Sequence, residues 1–116
     1  MLAALARLFR PKPLEPQWLD IATLRRRLAD DPAPLVVDVR GPDEFDGPLG
    51  HIEGARNIPL ADLAAHRGEI AATGRPIVCV CLTDKRSAAA AAQLSAAGLP
   101  DVTVLRGGMT AWREEG

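Results

Sequence analysis

Three short, mostly apolar runs rich in β-branched residues punctuate the chain: Leu35-Val36-Val37-Asp38-Val39, Pro76-Ile77-Val78-Cys79-Val80-Cys81 and Val102-Thr103-Val104-Leu105. Near-continuous hydrophobicity at this length predicts strands covered on both faces. Asn57-Ile58, ended by Pro59, predicts one more, very short strand. Between these runs the pattern changes to helical spacing. Asp20 is placed to N-cap a helix over Ile21–Ala29, with Leu24 and Leu28 on one face. Asp62–Ala72 is weakly helical with an interruption expected near Gly68. Arg86–Ala97 is Ala-rich and stopped by Gly98-Leu99-Pro100. A terminal helix is predicted from Met109 to Glu114. Gly41-Pro42-Asp43 breaks the first strand, and Asp43–Asp46 holds one helical turn. Strands alternating with helices predict the α/β class: a parallel sheet, right-handed crossovers and helices on both faces.

Ahead of this pattern, Met1–Arg10 reads as a short amphipathic helix carrying Arg7 and Arg10, stopped by Pro11 and Pro13. The following Pro11–Pro16 stretch reads as a stiff linker. The organisation expected is an arm and linker over residues 1–16 and one domain over residues 17–116. Membrane contact by residues 1–10 is the minor reading; an arm attached to its own domain is the ordinary one. The arm lacks the cleavage pattern of a signal peptide, and no stretch approaches the roughly 18 apolar residues of a membrane span.

At 116 residues the chain holds one core, and its 47% hydrophobic and 25% charged residues are ordinary for a globular domain. The formal net charge of −1 carries no basic excess, so a nucleic-acid partner is not expected. Aromatic residues are confined to Phe9, Trp18, Phe45 and Trp112, too few for a base-stacking platform. The run Arg25-Arg26-Arg27 is read as a solvated helical face. Cys79 and Cys81 lie on one face of a strand, about 7 Å apart, too far for a disulfide. Reduced thiols fit a cytoplasmic location. With His51 and His66 they give no metal-ligand spacing, and no metal or other cofactor is expected.

Cys81 carries the chemistry. It stands at the carboxyl end of a buried strand and, across Leu82-Thr83-Asp84-Lys85-Arg86-Ser87, beside the amino end of a helix. Free N–H groups and the helix dipole favour a thiolate there, and ligands of open α/β sheets bind in this place.

Asp38-Val39-Arg40, Glu44-Phe45 and Gly50-His51-Ile52-Glu53-Gly54-Ala55-Arg56-Asn57-Ile58-Pro59 together resemble the amino-terminal signature of rhodanese-like domains. Arg106-Gly107-Gly108-Met109-Thr110-Ala111-Trp112 resembles their closing signature, and the loop from Cys81 to Ser87 their active site. The resemblance covers roughly residues 17–115. It implies a central parallel five-stranded sheet with helices on both faces. It also implies a sulfurtransferase that moves a sulfane sulfur from thiosulfate or a persulfide donor to a thiophilic acceptor (cyanide, a small thiol or a protein thiol).

In such chemistry Cys81 attacks the outer sulfur of the donor and carries it as a persulfide, a covalent two-step transfer with ping-pong kinetics. Backbone N–H groups of Leu82 through Ser87 stabilise that anion as an oxyanion hole does. Arg86 supplies a fixed cation to the donor or, in the plainer reading, an ion pair that holds the loop in place, Lys85 a looser steering charge, and Ser87 a helix cap or a donor to sulfur. Asp84 and Leu82 depart from the commonest family version, which carries Gly and Arg there. Asp at a position where Gly permits positive φ would carry a conformational cost, and its charge disfavours thiosulfate. Four residues separate Cys81 from Arg86, one fewer than in Cys-based phosphatases, which suits a single sulfur better than a phosphate. Asp38, Arg40, Glu44 and His51 are read as structural, Cys79 as core, and Gly107-Gly108 as the turn that lets the last strand approach the active loop. Expected partners are the small-molecule donor and acceptor and, in a relay, a thioredoxin-like protein. A protein-to-protein relay domain and a non-catalytic interaction module remain the alternatives.

Overall fold

A computed structural model describes residues 16–115. It contains β1 (Trp18–Leu19), α1 (Ile21–Arg27), β2 (Leu35–Asp38), α2 (Pro42–Phe45) and β3 (Arg56–Asn57). A 3₁₀ turn (Leu60–Asp62) leads into α3 (Leu63–Ala72), followed by β4 (Ile77–Val80), α4 (Lys85–Ala96), β5 (Val102–Leu105) and α5 (Gly108–Glu115). All five strands are parallel, in the order β1-β5-β4-β2-β3. The expected architecture is therefore present. Apart from Pro16, the arm and linker lie outside the described residues. No described helix is long and apolar enough to cross a membrane.

The central strands are buried at every position, and their alternation sorts the side chains onto two cores. Val37, Cys79, Cys81 and Val104 meet Leu63, Ile70 and Leu94 from α3 and α4. Val36, Val78, Val80 and Leu105 meet Leu24, Met109 and Trp112 from α1 and α5. In register, Asp38 pairs with Val80 and Cys79 with Val104. β2 and β4 thus end side by side at the carboxyl edge of the sheet, where the loop beginning at Cys81 leaves it.

Four local readings need correction. The fifth strand is Trp18–Leu19, which no apolar run announced. It is fastened by N–H donation from Val104 to Gln17 O (2.8 Å) and from Arg106 to Leu19 O (2.9 Å). Helix α3 runs unbroken through Gly68: burial of Leu63 and Ile70 outweighs the ~1 kcal/mol helix penalty of glycine. Helix α1 ends at Arg27, two residues early, although Asp20 caps it as expected by accepting from Thr23 N–H at 2.7 Å. Of the three arginines there, Arg25 is not merely solvated, because its guanidinium lies 4.0 Å above the Trp112 ring.

Beyond β2 the chain is organised by a buried ion pair. Arg40 Nη2 lies 2.7 Å from Asp38 Oδ2, with both side chains 1% exposed. The same guanidinium donates to Gly50 O (2.7 Å) and Glu44 O (3.1 Å), tying α2 and the Gly50 loop to the strand end. Asn57 Nδ2 donates to Asp38 O and Arg40 O across β2–β3. His51 stacks on Phe45 with centroids 3.7 Å apart, and its Nδ1–H donates to Phe45 O.

A buried charge stripped of its partner is strongly destabilising. Asp38→Ala is therefore expected to lower stability by about 3–5 kcal/mol in urea unfolding. The double replacement of Asp38 by Ala and Arg40 by Met is expected to recover a substantial part of that loss, which an additive pair of effects would not allow.

Candidate active site

The loop after β4 is shaped by what packs against it. Gly108 at the start of α5 has φ +55°, and a Cβ there would stand 2.5 Å from Thr83 O and 2.7 Å from Leu82 O, and would also collide with Cys81 O. Only glycine fits. The first turn of α5 uses this proximity: Met109 N–H donates to Cys81 O (2.9 Å) and Thr110 N–H to Leu82 O (3.1 Å). The Gly107-Gly108 turn thus approaches the loop as the sequence suggested.

Asp84 takes a different part from the one anticipated. Its φ is −132°, so no positive-φ strain arises. It precedes α4 without capping it; instead Oδ1 accepts from Gly107 N–H at 2.8 Å. Asp84 is a brace between the loop and the β5–α5 turn. With its carbonyls held by α5, the loop leaves the N–H groups of Leu82 through Arg86 without a protein acceptor among the described residues.

Cys81 is 1% exposed, at the base of this loop. Ser87 N–H points at Sγ over 3.3 Å, and Ser87 Oγ lies 3.2 Å from Sγ and 3.1 Å from Asp84 O. The hydroxyl has one proton and two lone pairs. It can accept from a thiol while donating to Asp84 O, or turn and donate to a thiolate. Ser87, in the first turn of α4, does not stand at the N-cap position, which Asp84 occupies; its hydroxyl lies between the sulfur and the Asp84 carbonyl.

The remaining loop residues stand apart from Sγ. Leu82 is 39% exposed, Thr83 and Lys85 are exposed, and Arg86 leans away to Glu44. That pair is bidentate, with Arg86 Nη1 to Glu44 Oε1 at 2.7 Å and Nη2 to Oε2 at 3.0 Å. The structure thus places Arg86 in an ion pair instead of leaving it open to a donor. Bonding to Arg86 holds the Glu44 carboxyl below its ordinary value. Glu44 also accepts from Gly41 N–H, in keeping with its structural reading. Its pairing with Arg86, 42 residues away, had no sequence signal. Cys79, on the same strand face as Cys81, is the inert thiol: burial first, then its neighbour Cys81, push it up to about 12.

The rhodanese-like domain profile matches residues 20–115 of this chain. The chain belongs to the rhodanese-like domain family. It is 43% identical over 77 residues to the uncharacterized protein YqhL of Bacillus subtilis, covering 66% of this chain and 59% of that one. The first two curated relatives are matched over 59% and 49% of their lengths. To a thiosulfate sulfurtransferase, GlpE of Shewanella oneidensis, it is 40% identical over 79 residues, covering 68% of this chain and 75% of that one. The crystal structure of a rhodanese-related protein from Thermoplasma volcanium superposes with a TM-score of 0.73 at 32% identity, over 86% of this chain and 93% of that one. Within this rhodanese-like domain, β4 and the amino end of α4 position Cys81 and Ser87, while α5 sets the loop between them.

Replacement of Gly108 by Ala is expected to dislodge the loop, lowering stability by at least about 2 kcal/mol and Tm by roughly 10 °C. Gly54→Ala is the control, since φ there is +85° but nothing lies within 4 Å of a Cβ. It carries only the conformational cost of about 1 kcal/mol. Equal melting shifts for the two variants would remove the steric role assigned to Gly108.

Proposed function

We propose that this rhodanese-like domain is a sulfurtransferase in which Cys81 carries the sulfane sulfur as a persulfide. The observation that carries the reading is the environment of Sγ. It faces the Ser87 N–H and hydroxyl at the base of a loop whose other N–H groups lack protein acceptors. A persulfide places its outer sulfur about 2 Å beyond Sγ. A concave row of backbone N–H groups is a ready site for such an anion.

The transfer is two displacements. The Cys81 thiolate attacks the outer sulfur of the donor, forming a new S–S bond; the old bond to that sulfur breaks and its electron pair leaves as sulfite or a thiolate. A thiophilic acceptor then takes the outer sulfur and returns the Cys81 thiolate. No side chain need serve as general base, because the Ser87 hydroxyl and the loop amides stabilise charge without moving a proton. Lys85, exposed at the loop's far end, is left to act on the donor's charge, while Arg86 is paired with Glu44. The sulfurtransferase names carried by relatives support this reading, as does the short Cys81–Arg86 spacing.

Intact-protein mass spectrometry after treatment with a sulfane-sulfur donor is expected to show a gain of one sulfur (about 32 Da), reversed by cyanide. Cys81→Ser is expected to abolish the gain, and Cys79→Ala to preserve it. A wild-type protein that takes up no sulfur from thiosulfate or from an organic persulfide would overturn the proposal. Ser87→Ala is expected to slow loading by about 10-fold, the effect of removing one hydrogen-bond donor from a developing anion.

A further inference from the structure

The bidentate ion pair between Arg86 and Glu44 joins the active loop to α2 at a distance of 2.7 and 3.0 Å. Its geometry decides more than loop shape. The two Nη groups form the fork that grips carboxylate- or sulfonate-like oxygens, and both are committed to Glu44. Both side chains are partly exposed, at 37% and 38%, so the pair lies at the solvent-facing side of the active loop and does not belong to the core.

The charge sum points the same way. Arg86 and Lys85 are matched by Glu44 and by Asp84, itself fixed on Gly107 N–H. Formally these four cancel, leaving the mouth without the positive excess that would draw in a dianion. Meanwhile Leu82, the residue directly after the thiol, presents 39% of its surface to solvent. Apolar surface there matches carbon rather than sulfonate oxygens.

We infer that Glu44 is the specificity-determining residue of this site. By occupying the Arg86 fork it sets the domain against thiosulfate and in favour of low-charge, carbon-borne persulfide donors. This inference rests on the sulfur-transfer reading above and names its donor class. The step is balanced without an added oxidant or reductant. The Cys81 thiolate attacks the outer sulfur of R–S–SH, the R–S to S bond breaks, and its electron pair leaves with R–S⁻. The proton stays on the transferred sulfur.

The test is a comparison of loading rates at Cys81 by intact mass, using thiosulfate and the persulfide of N-acetylcysteine methyl ester, which carries no carboxylate. Wild type is expected to load faster with the ester persulfide. Glu44→Gln keeps an oxygen for Gly41 N–H but removes the charge. It is expected to raise the thiosulfate rate about fivefold, a factor typical of a partly exposed charge pair, with the ester rate within twofold. Glu44→Asp, which retains the charge, is expected to keep the wild-type preference, and Glu44→Ala provides a second uncharged variant if Glu44→Gln folds poorly. Uncharged variants that leave both rates unchanged, or alter both by one factor, would overturn the inference and reduce the ion pair to a loop fastener. Wild type loading faster with thiosulfate would overturn it as well. Both outcomes leave sulfur transfer intact, whereas absence of loading by either donor sinks the function itself.

Discussion

The site depends on one close approach: the backbone of Gly108 lying against the carbonyl oxygens of Cys81, Leu82 and Thr83. A peptide group that turns its oxygen one way presents its N–H the other. Once Met109 and Thr110 take the oxygens of Cys81 and Leu82, the loop cannot satisfy itself internally. Its N–H groups are left for a ligand. Two glycines after β5 thereby determine the polarity of a loop more than twenty residues earlier in the chain, and Asp84 locks the same arrangement from the loop's side through Gly107 N–H.

The second frame is the Asp38–Arg40 pair, which acts on the opposite wall. Arg40 reaches Glu44 O and Gly50 O from within the structure. Helix α2 has four residues and no buried side chain of its own, so its position rests on this guanidinium together with His51 on Phe45 and Arg86 on Glu44. The backbone that carries the Glu44 carboxylate toward Arg86 is thus tied, in part, to a buried charge pair. Two arginines divide the work: Arg40 positions the backbone of α2, and Arg86 receives its side chain.

Much of this was legible in the chain, and what was not has physical causes. The strands β2, β4 and β5 announced themselves because burial on both faces demands continuous apolar residues. The place of Cys81 was legible for the same reason, since it ends such a run shortly before a helix begins. Strand β1 was not, because a two-residue edge strand buries only Leu19 and leaves Trp18 partly exposed. Gly68 misled because intrinsic propensity is weak beside the packing of Leu63 and Ile70. Asp84 was read as a strained substitute for glycine. Its real conformation is ordinary, and its partner, Gly107, is supplied by the fold. The Arg86–Glu44 pair was invisible for a similar reason: charge complementarity across 42 residues becomes a contact only when β2 and β4 are neighbours.

Cys79 and Cys81, the sulfur carrier we propose, show how little sequence distance separates two different thiol environments. They share a strand face and a hydrophobic cluster, and both are nearly inaccessible. Burial alone would make both inert. Cys79 sits within β4, where the neighbouring backbone N–H groups are spent on the sheet, and the low-dielectric core holds its proton. Cys81 is one residue past the last pair of that strand, where the Ser87 N–H and hydroxyl come within 3.3 and 3.2 Å of sulfur. The difference lies in whether the backbone has amides to spare. A strand consumes them, and a loop whose carbonyls are held by another helix does not.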